Sequence, residues 1–581
     1  MQPRNKALSL ALVLALLITA VVAVSVSAAP EAARGGPSPK FSTAVAFDLS
    51  PALRDMASAQ RASSLSIEEE QEVRPDRGPV VEDQGFAGDG AVQEVSTQLQ
   101  AALAIPAPLL TFEGLSNQDN FNTFGFRVNP PDPNGDVGPN HYVEMINLVF
   151  AVYSKTGTLL LGPIDTGTLW AGFAIDDCTD PSGDPIVIYD QLEDRWLLSQ
   201  FTTRFSDVPE NDVFYNCVAV SQSGDPTGPY HRYAFTSGNF FPDYPKYGVW
   251  TNSYLLTSRD FGPTVEYGIS VYALEKNKMI AGNPKARAVQ FFLDSAVVPI
   301  SEIGDGLLPA DIDGTRRPRD GAPAPIVGTQ DNGHPYGATF DALNVYELSV
   351  RWRANPTASL NLVAQLPVAE FDSIFPCSPG SRDCLPQPGI TDPAQYLDVL
   401  SYRQRPIWRL AYRNFGTYEA LVTNQSVEAS LGIAGTRWYE IRRTGGTYSV
   451  YQQGTVAGAD GVHRWMGSIA QDKKGNMALG YSVVDGTSVF PGIRYTGRLA
   501  GDPLGQMTQG EGVIVNGSGV QTTTNSRWGD YTSMNLDPTD DCTFWYVNEY
   551  YAVSGFPIGP GITTTAPWQT RIASFKLPGC S

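Results

Sequence analysis

The chain has 581 residues with 40 basic and 60 acidic side chains, which gives a net charge of −20. This charge argues against nucleic acid or an anionic membrane as a partner, because both require a basic protein surface. The 56 glycines and 44 prolines favour many turns over long helices, and a hydrophobic content of 42% is enough for a large core.

Residues 1–28 have the features of a secretory signal peptide. Arg4 and Lys6 precede an apolar stretch that ends at Val24, and small residues follow it. This order predicts cleavage after Ala28 and a secreted or extracellular protein. An uncleaved membrane anchor is the alternative, since the apolar run is almost long enough to span a bilayer. No later stretch is apolar enough to do so.

Residues 29–107 are poor in aromatic residues and rich in Ala, Ser, Pro and Glu. This composition predicts a disordered linker or pro-segment. From residue 108 onward the chain changes to short β-type runs separated by Gly, Pro, Asp and Asn. We therefore expect one folded domain over residues 108–581, and we expect it to be a monomer.

Blocks of four strands recur along this domain. In one block the strands are Pro185–Tyr189, Trp196–Phe201, Cys217–Val220 and Tyr230–Phe235. Block openings recur about every 66 residues, a period that predicts an all-β fold and a single β-propeller of seven four-stranded blades. Six or eight blades, or stacked β-sandwiches, are the alternatives. A spare strand at residues 109–112 would pair into the last blade and close the ring.

Six cysteines in an exported chain predict three disulfides, although some could instead be free buried thiols. Six cysteines allow fifteen pairings, so each pairing needs a structural reason. One pair brackets a short Pro/Gly loop, one pair flanks neighbouring strands and one pair lies in the last block. These pairs are Cys377 with Cys384, Cys178 with Cys217, and Cys542 with Cys580.

Aspartates recur where the predicted blades begin. The first strand of each blade lines the channel of a propeller, so these residues would meet at one mouth: Asp136, Asp184, Asp243, Asp311, Asp398 and Asp530, with His463 and Arg464 at the seventh place. Converging carboxylates repel one another, so they need a cation, arginines or protonation to coexist. We expect calcium, which takes several oxygen ligands without strict geometry. Alternatively, each aspartate caps its own turn.

Several motifs resemble those of a widespread set of secreted bacterial β-propeller proteins, sialidase-like or kelch-like and of no established activity. The resemblance covers residues 109–577 and is carried by Asp132–Tyr142, Gly183–Asp190 with Arg195–Leu197, and Arg527–Tyr531 with Asp541–Tyr546. It implies an architecture and no particular chemistry. The S-x-D-x-G-x-x-W boxes of sialidases are not intact here, and neither is their Arg-Ile-Pro opening.

Carboxylates, arginines and aromatic residues in one concave opening suit a glycan site. We therefore expect the mouth to bind a glycan or an extracellular protein; a solvated rim without a ligand is the plainest alternative. The candidate ligand-binding residues are Arg259, Arg413, Arg527, His463 and Tyr550. If the protein is instead a sialidase-like glycoside hydrolase, the candidate catalytic residues are Asp184, Asp530, Glu549 and Tyr531. The usual nucleophile, zinc and phosphate motifs are missing from the sequence.

Overall fold

The computed structural model describes eleven stretches of the chain: residues 37–57, 70–72, 85–86, 88–93, 105–206, 208–263, 267–377, 383–399, 404–523, 526–558 and 563–581. The predicted signal peptide lies outside them. Among these stretches no helix has the length and apolar character needed to cross a membrane.

The described strands form a β-propeller of seven antiparallel four-stranded blades, as the sequence predicted. Blade 1 contains β6 (Asn134–Val137), β7 (His141–Ile146), β8 (Val149–Ser154) and β9 (Leu159–Asp165). Blade 2 contains β10 (Ile186–Asp190), β11 (Arg195–Phe201), β12 (Phe214–Ser221) and β13 (Tyr230–Gly238). Blade 3 contains β14 (Phe241–Val249), β15 (Ser253–Phe261), β16 (Gly268–Glu275) and β17 (Arg287–Asp294).

Blades 4 to 7 complete the ring. Blade 4 contains β18 (Leu308–Asp313), β19 (Ala324–Gln330), β20 (Ala342–Arg351) and β21 (Thr357–Pro367). Blade 5 contains β24 (Ile407–Asn414), β25 (Glu419–Ser430), β26 (Ile433–Thr444) and β27 (Thr447–Val456). Blade 6 contains β28 (His463–Gln471), β29 (Met477–Val484), β30 (Gly492–Arg498) and β31 (Glu511–Val515). Blade 7 contains β32 (Ser533–Leu536), β33 (Thr543–Tyr551), β36 (Trp568–Lys576) and β4 (Leu110–Ser116).

The remaining elements lie outside the blades or extend them. The short strands are β1 (Lys40–Thr43), β2 (Ala46–Leu49), β3 (Glu70–Glu72), β5 (Arg127–Asn129), β22 (Asp383–Leu385), β23 (Leu397–Asp398), β34 (Pro557–Ile558) and β35 (Thr563–Thr564). The helices are α1 (Leu53–Ala57), α2 (Asn117–Phe124), α3 (Lys276–Ile280) and α4 (Ile300–Ile303). Helix α2 begins after Ser116, whose side chain and backbone form a capping box with Asp119.

The inner strands of successive blades contact one another around the whole ring. They are buried on both faces because a neighbouring blade covers each side; every residue of β10 and β18 is buried. The outermost strand β21 instead alternates exposed with less exposed residues, and only Leu360 in it is fully buried. The apolar side chains between blades form the core, so the ring itself is the hydrophobic unit of the fold.

The ring is closed by the predicted N-terminal strand. Strand β4 pairs antiparallel with β36, with Phe112 opposite Ile572. Glu144 of blade 1 joins the closure: its carboxylate accepts hydrogen bonds from the Leu115 amide at 2.9 Å and the Thr570 hydroxyl at 2.5 Å. The first and last parts of the ring are therefore joined through one blade, which leaves blade 7 without an open edge on this side.

Residues 37–57 correct one expectation, since we placed them in a disordered linker. Strand β2 extends blade 2 by pairing with β13, and β1 extends blade 3 by pairing with β17. Asp48 of β2 forms an ion pair with the buried Arg232, and Leu53 of α1 is fully buried. Composition alone predicted disorder here because residues 29–107 as a whole are poor in aromatic residues. The segment is ordered nevertheless, because it pairs with the free edges of two outer strands.

The three disulfides connect the cysteines in the pairs that the sequence suggested. Cys178 joins Cys217, Cys377 joins Cys384 and Cys542 joins Cys580. No cysteine in the structure is a free thiol.

Candidate functional site

The inner strands share a backbone feature at the end of the ring where they begin, which we call the mouth. Asp132, Asp184, Tyr244 and Met466 all have a left-handed backbone, with φ between 47° and 51°. In each case regular pairing of the inner strand starts or resumes two residues later. Non-glycine residues rarely adopt this conformation, so its recurrence marks equivalent positions in four blades.

A group of charged and tyrosine side chains meets at the mouth. We call it the mouth cluster, and it consists of Asp132, Asp184, Asp243, Asp305, Asp398, Asp530, Glu549, Lys246, Arg259, Arg405, Arg527, Tyr244 and Tyr531.

Asp184, which precedes the inner strand of blade 2, is hydrogen-bonded to residues of three other blades. Its carboxylate accepts a hydrogen bond from the Tyr531 hydroxyl at 2.9 Å and one from the Tyr244 amide at 3.2 Å. Its own amide donates to the Asn147 side chain at 2.9 Å. Burial raises the pKa of Asp184 well above its ordinary value, and the charges of nearby carboxylates such as Asp132 add to this shift. The Asp184 carboxyl group therefore holds its proton more tightly than a solvated aspartate.

Two further carboxylates in the cluster are held by backbone amides. Asp132 accepts a hydrogen bond from the Asp530 amide at 2.7 Å, and Glu549 accepts one from the Gly529 amide at 2.5 Å. Burial and the Asp530 charge raise the pKa of Asp132 to about 6. Burial also raises the pKa of Glu549 well above its ordinary value. Several acids of the mouth thus bind protons under conditions that ionise an exposed carboxylate.

Lys246 lies beneath these carboxylates, between two aromatic rings. Its ammonium nitrogen is 3.0 Å from the centre of the Tyr244 ring and 3.4 Å from that of the Tyr531 ring. The side chain is 1% exposed. Burial lowers the pKa of Lys246 well below its usual range, while the Asp184 charge acts in the opposite direction. The two rings thus hold the amine by cation–π contact, next to the Asp184–Tyr531 hydrogen bond.

Three buried arginines complete the cluster. Arg405 lies 3.8 Å from Asp530 and stacks over the Tyr244 ring at 4.0 Å. The other two form ion pairs as follows: Arg259 with Asp243 at 4.0 Å and Asp305 at 3.6 Å, and Arg527 with Asp398 at 3.1 Å and Asp530 at 3.5 Å. These cations are buried, whereas the Asp243 and Asp530 side chains are 23% and 12% exposed. The acidic groups are therefore more accessible to solvent than the arginines with which they pair.

The mouth cluster contains eight of the residues that the sequence singled out: Asp184, Asp243, Asp398, Asp530, Glu549, Tyr531, Arg259 and Arg527. Five of its members were not assigned to a site: Asp132, Asp305, Lys246, Arg405 and Tyr244. Asp132 lies two residues before β6, just as Asp184 lies two residues before β10. This common spacing would have identified Asp132 from the sequence.

Asp136 and Asp311 lie within inner strands rather than at the mouth. Asp136 accepts a hydrogen bond from the Tyr189 amide at 2.7 Å, and Asp311 accepts one from the Val249 amide at 2.9 Å. Each therefore links its strand to the inner strand of a neighbouring blade. Burial raises the pKa of Asp136 to about 8. Their placement at the mouth was wrong because the Asp-containing motifs of blades 1 and 4 are shifted along the strand.

Arg413 lies at the far end of β24, about 25 Å along the strand from Arg405. It forms a close ion pair with Asp541 and donates to the Gln471 carbonyl at 2.8 Å. The sequence placed Asp398 at the start of the innermost strand of this blade, whereas Leu397–Asp398 forms the separate strand β23, which pairs with β22. The innermost strand is β24, so Arg413 cannot belong to the mouth.

The remaining candidates also have partners away from the mouth cluster. His463 accepts a hydrogen bond from the Ala434 amide at 3.2 Å, and burial lowers its pKa to about 4. Arg464 pairs with Asp460 and Glu511 at 2.9 and 2.7 Å. The Tyr550 hydroxyl donates to Glu113 of the closing strand at 3.0 Å. These contacts hold neighbouring strands and loops together.

Across the stretches that the structure describes, no three His, Cys, Asp or Glu side chains are arranged so that they could hold a metal ion. The carboxylates are instead neutralised by Lys246, Arg259, Arg405 and Arg527 at the mouth, and by Arg409 deeper along the axis.

Comparisons with known proteins give no family for this chain: no family model matches it, and no curated protein does. Solved structures that are similar include the α-L-arabinofuranosidase Arb93A of Fusarium graminearum, 10% identical, with 68% of this chain and 94% of that one covered and a TM-score of 0.32. The α-L-arabinanase of Penicillium chrysogenum is 10% identical, with the same coverage and a TM-score of 0.33. The Trypanosoma rangeli sialidase is 10% identical, with 67% and 54% covered and a TM-score of 0.29. Likenesses this distant say nothing of the reaction, and the fold assignment is based on the strand order itself.

Proposed function

We propose that the mouth cluster is the glycan-binding site of a secreted propeller. The observation that carries this proposal is the difference in exposure between the two charges, with the partly exposed Asp184 and Asp243 beside buried cations. Fixed carboxylates accept hydrogen bonds from sugar hydroxyls, and guanidinium groups donate to sugar oxygens. The three disulfides support an oxidising, extracellular setting for such a ligand.

Asp243 offers the most direct test, because it is 23% exposed and contacts Arg259. We expect Asp243→Asn to weaken binding of an oligosaccharide identified on a glycan array by about tenfold, since hydrogen bonds to charged groups are worth about 1.5–3 kcal/mol. Asp55→Asn, an exposed aspartate of α1 outside the mouth cluster, is the matched control. Absence of saturable binding to any arrayed glycan would refute the proposal, and so would equal losses in both variants measured by calorimetry.

Glycoside hydrolysis is a second candidate function, favoured by the hydrogen bond between Tyr531 and Asp184. Glycosidases commonly need a protonated acid beside a second reactive group. Asp184 has the raised pKa of such an acid, and Tyr531 is the hydroxyl next to it. Asp530, which lies beside Arg405 and Arg527, would be the second carboxylate.

Turnover separates the two functions. In a hydrolase, Asp184→Asn and Tyr531→Phe should each lower kcat on aryl glycosides by about 100-fold or more, as expected for loss of proton transfer. Tyr346→Phe removes another buried hydroxyl that has no hydrogen-bond partner in the described stretches, and it should keep full activity. Saturable binding without product would leave only the binding function. If Asp184→Asn and Tyr531→Phe both keep their turnover, the mouth cluster is not the site of hydrolysis.

A further inference from the structure

A second concave surface lies at the end of the ring opposite the mouth. This lower pocket has a volume of about 380 Å³, and the residues around it include Arg319, Tyr418, Glu419, Arg443 and Gly446. They lie in or next to the loops that follow β18, β24 and β26. Because inner strands begin at the mouth, the loops after β18 and β24 lie at its opposite end. The lower pocket therefore shares no residue with the mouth cluster.

The lower pocket concentrates positive charge on a chain whose net charge is −20. Its edge carries three arginines within four positions, of which Arg317 pairs with Glu193 at 3.2 Å. Arg316 and Arg319 are exposed, and neither side chain makes a hydrogen bond or an ion pair with any other described residue. Two guanidinium groups are thus available to an anionic ligand.

The inner wall of the lower pocket adds a third guanidinium. Arg443 forms ion pairs with Glu347 at 3.1 Å and Glu419 at 3.3 Å, and these two acids hold it in place. Its Nε–H is buried and has no acceptor among the described residues. Glu419 also accepts a hydrogen bond from the Tyr412 hydroxyl at 2.6 Å. Among the described residues that line the lower pocket, Arg319 and Arg443 outnumber the single acid Glu419, so the lining carries a net positive charge.

Glycines keep this cavity open. At Gly445 and Gly446 the space that a Cβ atom would occupy is empty, so no side chain narrows the entrance there. At Gly416, with φ of 90°, the guanidinium group of Arg316 fills that space instead. Any side chain at Gly416 would displace Arg316 from the pocket edge. The glycine thus positions one of the two available cations.

We propose that the lower pocket binds the carboxylate of a sugar acid. Planar guanidinium groups bind carboxylates in a bidentate manner, and two of them here have no other partner. The volume of about 380 Å³ falls in the range of small-molecule pockets, about 300–1,000 Å³, and at its lower end it suits one sugar residue. The proposal does not depend on the function of the mouth, since the two sites share no side chain.

Calorimetry with the full-length mature protein tests this proposal, using glucuronate and trigalacturonate as probes and glucose as the neutral control. We expect saturable binding of at least one acid and none of glucose. The double variant Arg316→Gln/Arg319→Gln should weaken binding by about tenfold or more, because it removes two charged donors. Both side chains are exposed, so the fold should be retained. Lys285→Gln, which removes an exposed cation elsewhere, should bind like the wild type.

The two acids also identify the source of the carboxylate. Binding of both acids means that a free sugar acid suffices. Binding of trigalacturonate alone means that the site recognises an acidic polysaccharide. Either outcome supports the proposal if the binding depends on the two arginines. Failure of both acids to bind would overturn it, and so would unchanged affinity in the double variant. Arginine-dependent binding of inorganic sulfate without either acid would overturn the assignment of the carboxylate.

Discussion

Arg409 shows how single residues hold the centre of the ring together. Its guanidinium group pairs with Asp311 at 2.9 Å and Asp313 at 2.5 Å on blade 4, and it donates to the Met534 carbonyl on blade 7 at 3.3 Å. The side chain is 2% exposed. A buried charge network of this kind stabilises a fold only while each charge keeps its partner.

Arg409→Met should therefore lower the free energy of unfolding by about 3–5 kcal/mol, because two buried carboxylates lose their counterion. Chemical denaturation measures this change. Arg204→Met is the matched control: its side chain is 47% exposed and its ion pairs with Asp176 and Asp180 are partly solvated, so we expect a loss below about 1 kcal/mol. Similar losses in both variants would show that burial does not govern the effect.

Glu144 gives the closure of the ring a pH dependence. Burial raises its pKa from 4.5 to about 7, so the folded chain keeps a proton that the unfolded chain releases. Glu144 therefore lowers stability progressively as the pH rises from about 4.5 to about 7. Glu144→Gln removes this titration, and its stability relative to wild type should rise across that window by up to about 3 kcal/mol. Urea denaturation between pH 4.5 and 7.5 measures the difference, and a constant difference would contradict the expectation.

At the scale of elements, the strands that extend blades 2 and 3 make the N-terminal segment part of the folded domain. Strands β1 and β2 pair with the outer edges of these blades, and α1 follows directly. Leu53 of α1 packs in one apolar cluster with residues of blades 1 and 2, such as Phe150 and Leu198. The segment thus covers two sheet edges and joins two blades, a role that a removable pro-segment would not have.

Leu53→Ala should lower the free energy of unfolding by about 2–4 kcal/mol, as for other fully buried leucines. Leu49→Ala, four positions earlier and 50% exposed, should change it by no more than about 0.5 kcal/mol. Thermal or urea unfolding of the two variants makes the comparison. If Leu53→Ala is as stable as Leu49→Ala, the segment does not belong to the cooperative unit.

The blades and their closing strand were predictable because each strand carries its own pattern of apolar residues and turns. Part of the mouth cluster was predictable from the repeat, because Asp184 precedes an inner strand and Arg259 and Glu549 lie near the ends of second strands. Lys246 and Arg405 were not, since their positions depend on pairing that spans separate blades. Because β23 is a strand separate from the innermost strand β24, the sequence placed the start of this blade too early and assigned Arg413 to the wrong end of the ring.

At the scale of the whole molecule, charge is divided between surface and interior. The chain carries 20 more acids than bases, yet Arg259, Arg405, Arg409, Arg437 and Arg498 are among its largest fully buried side chains. Of these, Arg259, Arg405 and Arg409 pair with acids that the repeat brings to the axis. The chain thus supplies positive charge of its own beside carboxylates at which we expected calcium.

Removing divalent cations should therefore leave the folded state unchanged. We expect the melting temperature to stay within about 1 °C after dialysis against a chelator, since the loss of a ligand at a hundred times its Kd would cost about 2.7 kcal/mol and shift Tm measurably. Differential scanning calorimetry with and without added calcium checks this expectation. A reproducible drop in melting temperature that added calcium reverses would show that a bound metal ion stabilises the fold.

Pairing of β4 with β36 means that the ring cannot close until both of these strands have been made. During synthesis β4, the first strand of the ring, has to wait for β36, so a growing chain exposes an unfinished seam until β36 emerges. A premature stop codon that removes β36 would leave that seam permanently open to proteases and to other chains. Such truncated products should be degraded rather than accumulate as partly assembled rings.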